Sequence, residues 1–219
     1  MSLPPDPTLD EMRAALGPRL PAHAVFDGWS DAALARAAEE IGVDPAEARL
    51  AFGGDRVAMI DAWFASIDAA MAEAFTSERI ATMKIRARIR ELVLFRLAAA
   101  QPHREAARSA LAILAMPRHA AAATRLGWRA ADAMWRAAGD TSADIAWYTK
   151  RTTLAAVYVA TLLVWLNDDS EGQTETRAFL DRRIDNVMQF EKLKARLRPD
   201  PERRFSIARF LGRLRYPPA

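Results

Sequence analysis

The sequence predicts an all-α protein, and three observations carry that prediction. Apolar side chains recur three and four positions apart in segment after segment, while no stretch alternates with the period of two that a half-buried strand needs. Ala, Leu and Arg dominate and Val, Ile and Thr are sparse, a composition that favours helix. The periodic segments are divided by Gly, by Pro and by side chains that suit helix caps.

Each element follows from those signals. Thr8 opens a short amphipathic helix with Glu11 as its capping partner, and Pro18 and Pro21 end it near Leu20. Trp29-Ser30-Asp31 opens a second helix, with Ala33, Leu34, Ala37, Ala38 and Ile41 on one face and Gly42 as its stop. Asp44-Pro45-Ala46-Glu47 starts a third: Asp as cap, Pro at the first helical position, Glu at the third. It ends near Phe52, at Gly53-Gly54. A long helix follows from about Asp55 to Phe75, with Val57, Ile60, Trp63, Phe64, Ile67 and Met71 at helical spacing. Ile80 to Ala100 continues the pattern, with Ile85, Ile89, Leu92, Val93 and Leu97 apolar and Lys84, Arg86, Arg88, Arg90 and Arg96 on the polar side. Pro102 breaks it. Residues 104–116 form an Ala-rich helix closed by Pro117, and Ala120 to Ala138 forms another. Gly139-Asp140-Thr141-Ser142 then breaks the chain, since Gly suits the position after a helix and Asp, Thr and Ser suit the next cap. Trp147-Tyr148-Thr149-Lys150-Arg151 heads the most hydrophobic segment, which runs to Leu166. Thr174 to Arg196 is a long helix, Pro199 and Pro201 mark a linker, and Glu202 to Arg215 is a last helix. Three regions result: 1–76, 77–198 and 199–219.

Composition bounds the function. An apolar fraction of 51% over 219 residues suffices for a packed core and is too high for disorder. With no Cys there is no disulfide framework, thiolate metal site or Cys nucleophile. The start, Met1-Ser2-Leu3-Pro4-Pro5-Asp6, lacks the pattern of a signal or transit peptide. The longest uncharged run, Thr152 to Asn167, falls short of the roughly 20 residues that span a bilayer. Charge is uneven. Residues 1–50 carry a balance of −5, residues 192–215 a balance of +7, and the rest +1. A basic tail on a slightly acidic body suggests contact with an anionic surface.

Trp29 to Phe52 matches the helix-turn-helix that opens TetR-type regulators, which read DNA with the second helix. Here that helix is Pro45-Ala46-Glu47-Ala48-Arg49-Leu50-Ala51. It offers one Arg, and Glu47 would face phosphate. DNA affinity comes largely from neutralising phosphates, so the segment reads as a degenerate scaffold without nucleic-acid binding, inside a TetR-like helical bundle. Catalytic candidates are poor. His23, His103 and His119 are scattered, none follows a Glu by three residues as a di-iron carboxylate site needs, and no Gly-rich phosphate loop or Gly-x-Ser-x-Gly elbow is present. No catalytic residue, metal site or cofactor is expected.

Several segments together resemble a known family. They are Gly28-Trp29-Ser30, Ala110-Leu111-Ala112-Ile113-Leu114-Ala115-Met116-Pro117, Met134-Trp135 with Ala138-Gly139-Asp140, Trp147-Tyr148-Thr149-Lys150-Arg151, and Arg177-Ala178-Phe179-Leu180 through Val187-Met188. The family is the accessory lipid-binding protein of ubiquinone biosynthesis, the ninth coenzyme-Q protein of mitochondria with its bacterial relatives. The resemblance covers roughly Phe26 to Met188. It implies a TetR-like fold that has given up DNA, a pocket for a polyprenyl quinone or its precursor, and a docking face for the di-iron hydroxylase of the pathway. By matching motif the docking residues are Asp144, Trp147, Tyr148 and Arg151. Lys150 stands where relatives often have Arg, so charge is kept there but bidentate geometry is not.

The residues read alone agree in kind, because Trp, Tyr and Arg are enriched where truncation costs an interface about 2 kcal/mol or more. Alternatively, Trp147 and Tyr148 fill an interhelical corner and Arg151 pairs with an acid. For the lipid, Leu154, Tyr158, Leu162 and Trp165 share one helical stripe, and Leu111, Leu114, Met134 and Trp135 are the opposing walls; the same stripe also suits plain core. In the tail, Ile207, Phe210, Leu211 and Leu214 cluster on one side of the last helix and Arg209 and Arg213 lie opposite. That pattern reads as an interfacial membrane anchor. The expectation is a non-catalytic protein, peripheral on the inner face of the cell membrane. It takes up an isoprenoid lipid and presents it to the hydroxylase, and it is a homodimer by analogy with TetR-like folds. The alternatives are a TetR-class regulator responding to a hydrophobic ligand and a purely structural helical dimer.

Overall fold

A computed structural model of the protein describes the backbone of residues 4, 6–143 and 145–197, with side chains as far as residue 190. These residues form helices and loops, and no strand occurs among them. They fall in two compact units, 1–181 and 182–219.

Helix α1 (Leu9–Leu16) begins at the expected capping box. The Thr8 side chain accepts from the Glu11 amide at 3.3 Å, and the Glu11 carboxylate accepts from the Thr8 amide at 2.8 Å. It ends earlier than the sequence suggests, at Gly17, where the chain meets the long helix α5 (Arg56–Ala74). A Cβ at Gly17 would stand 2.5 Å from the Ala62 carbonyl oxygen, so only Gly fits. Pro18 lies in the turn that follows α1, but Pro21 does not end structure. Pro21 lies in the first turn of a further helix, α2 (Leu20–Asp27), where a missing N–H breaks no helical bond.

The helix-turn-helix forms as the sequence suggests. Ser30 caps α3 (Asp31–Glu39), Gly42 turns at φ 70°, and Asp44 caps α4 (Pro45–Phe52) by accepting from the Ala46 amide at 2.8 Å. Ile41 falls beyond α3 and is half-buried. Asp55 caps α5 in the same way. Trp29, 3% exposed, ties this region to the body. Its ring stacks 5.5 Å from Trp63 of α5, and its Nε1–H donates to Ala106 O at 3.2 Å and Ser109 Oγ at 3.0 Å.

The segment expected as one helix from Ile80 is two, α6 (Ser77–Ala81) and α7 (Ile85–Ala100). Two assignments within α7 also differ from expectation. Ile85, expected on the apolar face, is 41% exposed, while Arg96, expected among the surface cations, is 1% exposed. Four further helices follow: α8 (Arg104–Leu114), α9 (Ala120–Ala137), α10 (Ile145–Trp165) and α11 (Thr174–Leu197). Short 3-10 turns at Gln101–His103, Pro117–His119 and Glu171–Gln173 join several of them. In the first unit α5 packs on α7 and α9, and α10 packs chiefly on α9. Among the described residues no helix is long and apolar enough to cross a membrane.

Candidate functional site

The site is the hairpin between α9 and α10. Helix α9 stops with two characteristic bonds: the Gly139 amide donates to Arg136 O at 2.9 Å and the Asp140 amide to Trp135 O at 3.0 Å. Gly139 takes φ 82°, which L side chains rarely adopt. Arg88 of α7 closes this corner by donating to Ala138 O at 2.8 Å.

The turn delivers Asp140 beneath the start of α10. Asp140 accepts from Lys150 Nζ at 2.6 Å, from Ser142 Oγ at 2.6 Å and from an Arg151 guanidinium nitrogen at 3.1 Å. Burial alone would raise its pKa, but the hydrogen bonds from Lys150, Ser142 and Arg151 outweigh that and hold the carboxyl at about 2. Asp132 of α9 accepts from Arg151 Nε at 2.6 Å and pairs with Arg136 at 2.8 Å. Arg151 thus bridges both acids of the hairpin.

Above this ionic base lies an aromatic group. The Arg151 guanidinium carbon sits 4.1 Å from the centre of the Trp147 ring. Trp147 and Tyr148 meet edge to face at 4.7 Å, and Trp128 of α9 lies 5.5 Å from Trp147 and 6.2 Å from Tyr148. Trp147 is half-buried, while Tyr148 is 62% and Ile145 83% exposed. The surface here is aromatic and apolar, held on a buried charge cluster.

The structure sorts the residues expected from sequence. Tyr148 stands at the surface and Trp147 borders it. Arg151 does not present itself there: its side chain is 2% exposed and fully engaged with Asp132 and Asp140. It positions Trp147 rather than reaching outward, because two carboxylates in a partly dry corner hold a guanidinium more firmly than water does. Asp144 lies outside the described residues. Trp128, Ile145, Asp132 and Asp140 were missed as members. Trp128 had no local signal, because only the packing of α10 on α9 brings its ring to Trp147 and Tyr148.

Of the residues expected to face a lipid, Leu114, Met134, Leu154, Tyr158, Leu162 and Trp165 are buried, and Leu111 is half-buried. Trp135 belongs to the hairpin instead. Its Nε1–H donates to Lys150 O at 3.0 Å and its ring lies 5.2 Å from Lys150 Nζ. Trp165 donates to Gln101 Oε1 at 2.7 Å, and Tyr158 lies against Arg96. The expected membrane residues Ile207, Arg209, Phe210, Leu211, Arg213 and Leu214 lie outside the described residues. His23 bonds Glu40 at 2.8 Å and His119 bonds Arg118 at 3.0 Å. Among the described residues no group of three or more His, Cys, Asp or Glu could hold a metal ion.

Comparison with known proteins places these observations. A COQ9 family model matches residues 120–191, which contain the whole hairpin. The chain is 32% identical over 168 residues to the rat mitochondrial ubiquinone biosynthesis protein COQ9, covering 74% of this chain and 54% of that one. It is 31% identical over 176 residues to the human protein of the same name, covering 77% and 54%. The chain therefore spans about half the length of the curated relatives it matches. A TetR transcriptional regulator from Nitrosomonas europaea superposes with a TM-score of 0.64 at 26% identity, covering 81% of this chain and 98% of that one. Residues 120–191, which carry Trp128, Trp147 and Tyr148, thus match the COQ9 family model, and the fold is all-α and TetR-like.

Proposed function

We propose that this protein is a non-catalytic accessory of ubiquinone biosynthesis. It takes up a polyprenyl quinone intermediate at the membrane and presents it to the pathway's di-iron hydroxylase. The observation that carries the reading is the surface formed by exposed Tyr148 and Ile145 with half-buried Trp128 and Trp147 inside residues 120–191, held by ion pairs beneath it. Exposed aromatics fixed in place lose little conformational freedom on binding, which makes them effective anchors. The buried stripe Leu154, Tyr158, Leu162 and Trp165 is the proposed wall for the prenyl tail. The hydroxylase supplies the oxygenation chemistry, and this chain needs no cofactor of its own.

The test uses Tyr148→Ala and Trp147→Ala with the purified hydroxylase. Each variant is expected to weaken binding by roughly 30-fold, the effect of an interface anchor worth about 2 kcal/mol. Unchanged affinity in the well-folded Tyr148 variant overturns docking at this surface. Mass spectrometry of lipid extracted from the purified protein tests uptake, and polyprenyl quinone species are the expected finding.

A second reading, a TetR-class regulator sensing a hydrophobic ligand, draws on the likeness to the Nitrosomonas regulator. The chemistry of α4 weighs against it. Arg49 is paired with Asp31 at 3.0 Å, while Leu50 is 73% exposed where a DNA-reading helix needs polar or cationic groups. Salt-dependent binding to the gene's own upstream DNA would restore it.

A further inference from the structure

The interior of the first unit holds a charged group that neither docking nor packing explains. Arg96 of α7 is 1% exposed. On its own helix the neighbouring inward positions are Leu92, Val93, Leu97 and Ala100, all buried. Its guanidinium is ion-paired with Asp68 of α5, and its central carbon lies 5.0 Å from the centre of the Tyr158 ring of α10. Its Nε–H is buried and has no hydrogen-bond partner. A cation in apolar surroundings is unfavourable, and a donor left unpaired makes it more so. An apolar side chain of similar length would fill the same space without either penalty.

The charges around Arg96 narrow what the free donor can serve. Asp68 also accepts from Arg129 Nε at 3.3 Å, and Arg129 pairs with Asp61. Arg125 touches Asp61 from the exposed side at 3.4 Å. Buried Arg96 and half-buried Arg129 face the half-buried Asp61 and Asp68, so these four charges already match. Attraction for a phosphate or carboxylate is therefore not the capacity that remains. One directed donor remains, Nε–H, beside Tyr158, whose hydroxyl already supports the guanidinium's charge and whose ring shares a helical stripe with Leu154, Leu162 and Trp165.

We infer that the Arg96 Nε–H donates a hydrogen bond to an uncharged phenol or carbonyl oxygen on the head ring of a bound prenyl lipid, with that ring lying beside Tyr158. The inference rests on the reading that the chain binds such a lipid. It adds an orientation to that reading. Tyr158 is about 16 Å along α10 from Trp147, eleven residues at 1.5 Å each. The lipid is then held head-inward in the free protein, and its head must travel toward the hairpin to reach a docked partner.

The test titrates the full chain with farnesylphenol and with farnesylbenzene, which has the same hydrocarbon and no oxygen, read by tryptophan fluorescence. The native protein should bind the phenol roughly tenfold or more tightly, the worth of one hydrogen bond to a charged donor. Arg96→Lys keeps a cation for Asp68 but has no donor at the Nε position, and should lose that preference. A second variant, Arg96→Met with Asp68→Asn, removes the pair together and should lose it too. Equal binding of both probes by the native protein, or full preference retained in a folded variant, overturns the inference while leaving lipid binding in place. Binding of neither probe overturns the lipid reading itself.

Discussion

At the scale of single residues, Asp140 sets the geometry of the hairpin. It is the acceptor for a Lys, an Arg and a Ser at once, and its folded pKa of about 2 lies below its ordinary 3.8. A group depressed on folding contributes stability that is present above its ordinary pKa and is lost as pH falls through the folded one. Acid unfolding followed by tryptophan fluorescence should therefore show a loss of stability between about pH 4 and pH 2. Asp140→Asn should flatten that limb. Arg151 is the complementary residue. Arg151→Met leaves Asp132 and Asp140 without their shared cation, and should cost about 3 kcal/mol or more in urea unfolding. Tyr148→Ala, at an exposed position of the same hairpin, should change stability by about 0.5 kcal/mol or less. If the two variants are equally destabilised, the division into an ionic base and an exposed aromatic surface is wrong.

At the scale of elements, helix boundaries follow caps more than composition. Thr8, Ser30, Asp44 and Asp55 each open a helix where the sequence places the opening. A cap acts within one turn, so it is legible locally. The start of α11 uses a device of longer reach. Asp168, buried, accepts from the amide and hydroxyl of Thr176 at 2.7 and 2.6 Å and from the Ser170 amide at 3.0 Å. Burial opposes its ionised form, yet these bonds hold its carboxyl well below the ordinary range. Asp168→Ala leaves those donors unpaired, and a loss of about 2 kcal/mol is expected in thermal or urea unfolding. A value near zero would mean water replaces the carboxylate without penalty. Two boundaries differ from the sequence expectation. Pro21 reads as a terminator in sequence, although Pro is equally at home in a first turn. The break between α6 and α7 carries no Gly or Pro, only Thr82-Met83-Lys84, so nothing local announced it.

At the scale of the whole molecule, the proposed function divides between a hairpin that meets a partner, an interior that meets a lipid and a tail that meets a bilayer. The tail is tested on the full chain. Leu211→Glu places a charge on its apolar side and should abolish flotation with anionic liposomes while leaving the melting temperature nearly unchanged. Flotation that persists removes the anchor from the model.

What the sequence determined by itself was local and periodic. It carried the all-α class, the caps, the helix-turn-helix and the aromatic-basic motif Trp147-Tyr148-Thr149-Lys150-Arg151. These need only neighbours within a few positions along the chain. The tertiary structure alone decided which way the charged residues of that pattern turn. Arg96 and Arg151 look like surface cations in sequence, yet both are buried. The reason is that an Arg side chain follows its acid. Asp68 is 28 residues from Arg96, and Asp132 is 19 from Arg151. Helix packing, which no local pattern encodes, brings each pair within reach. The same packing sets Trp128 against Trp147 and Tyr148, turning a short motif into a surface shared by two helices.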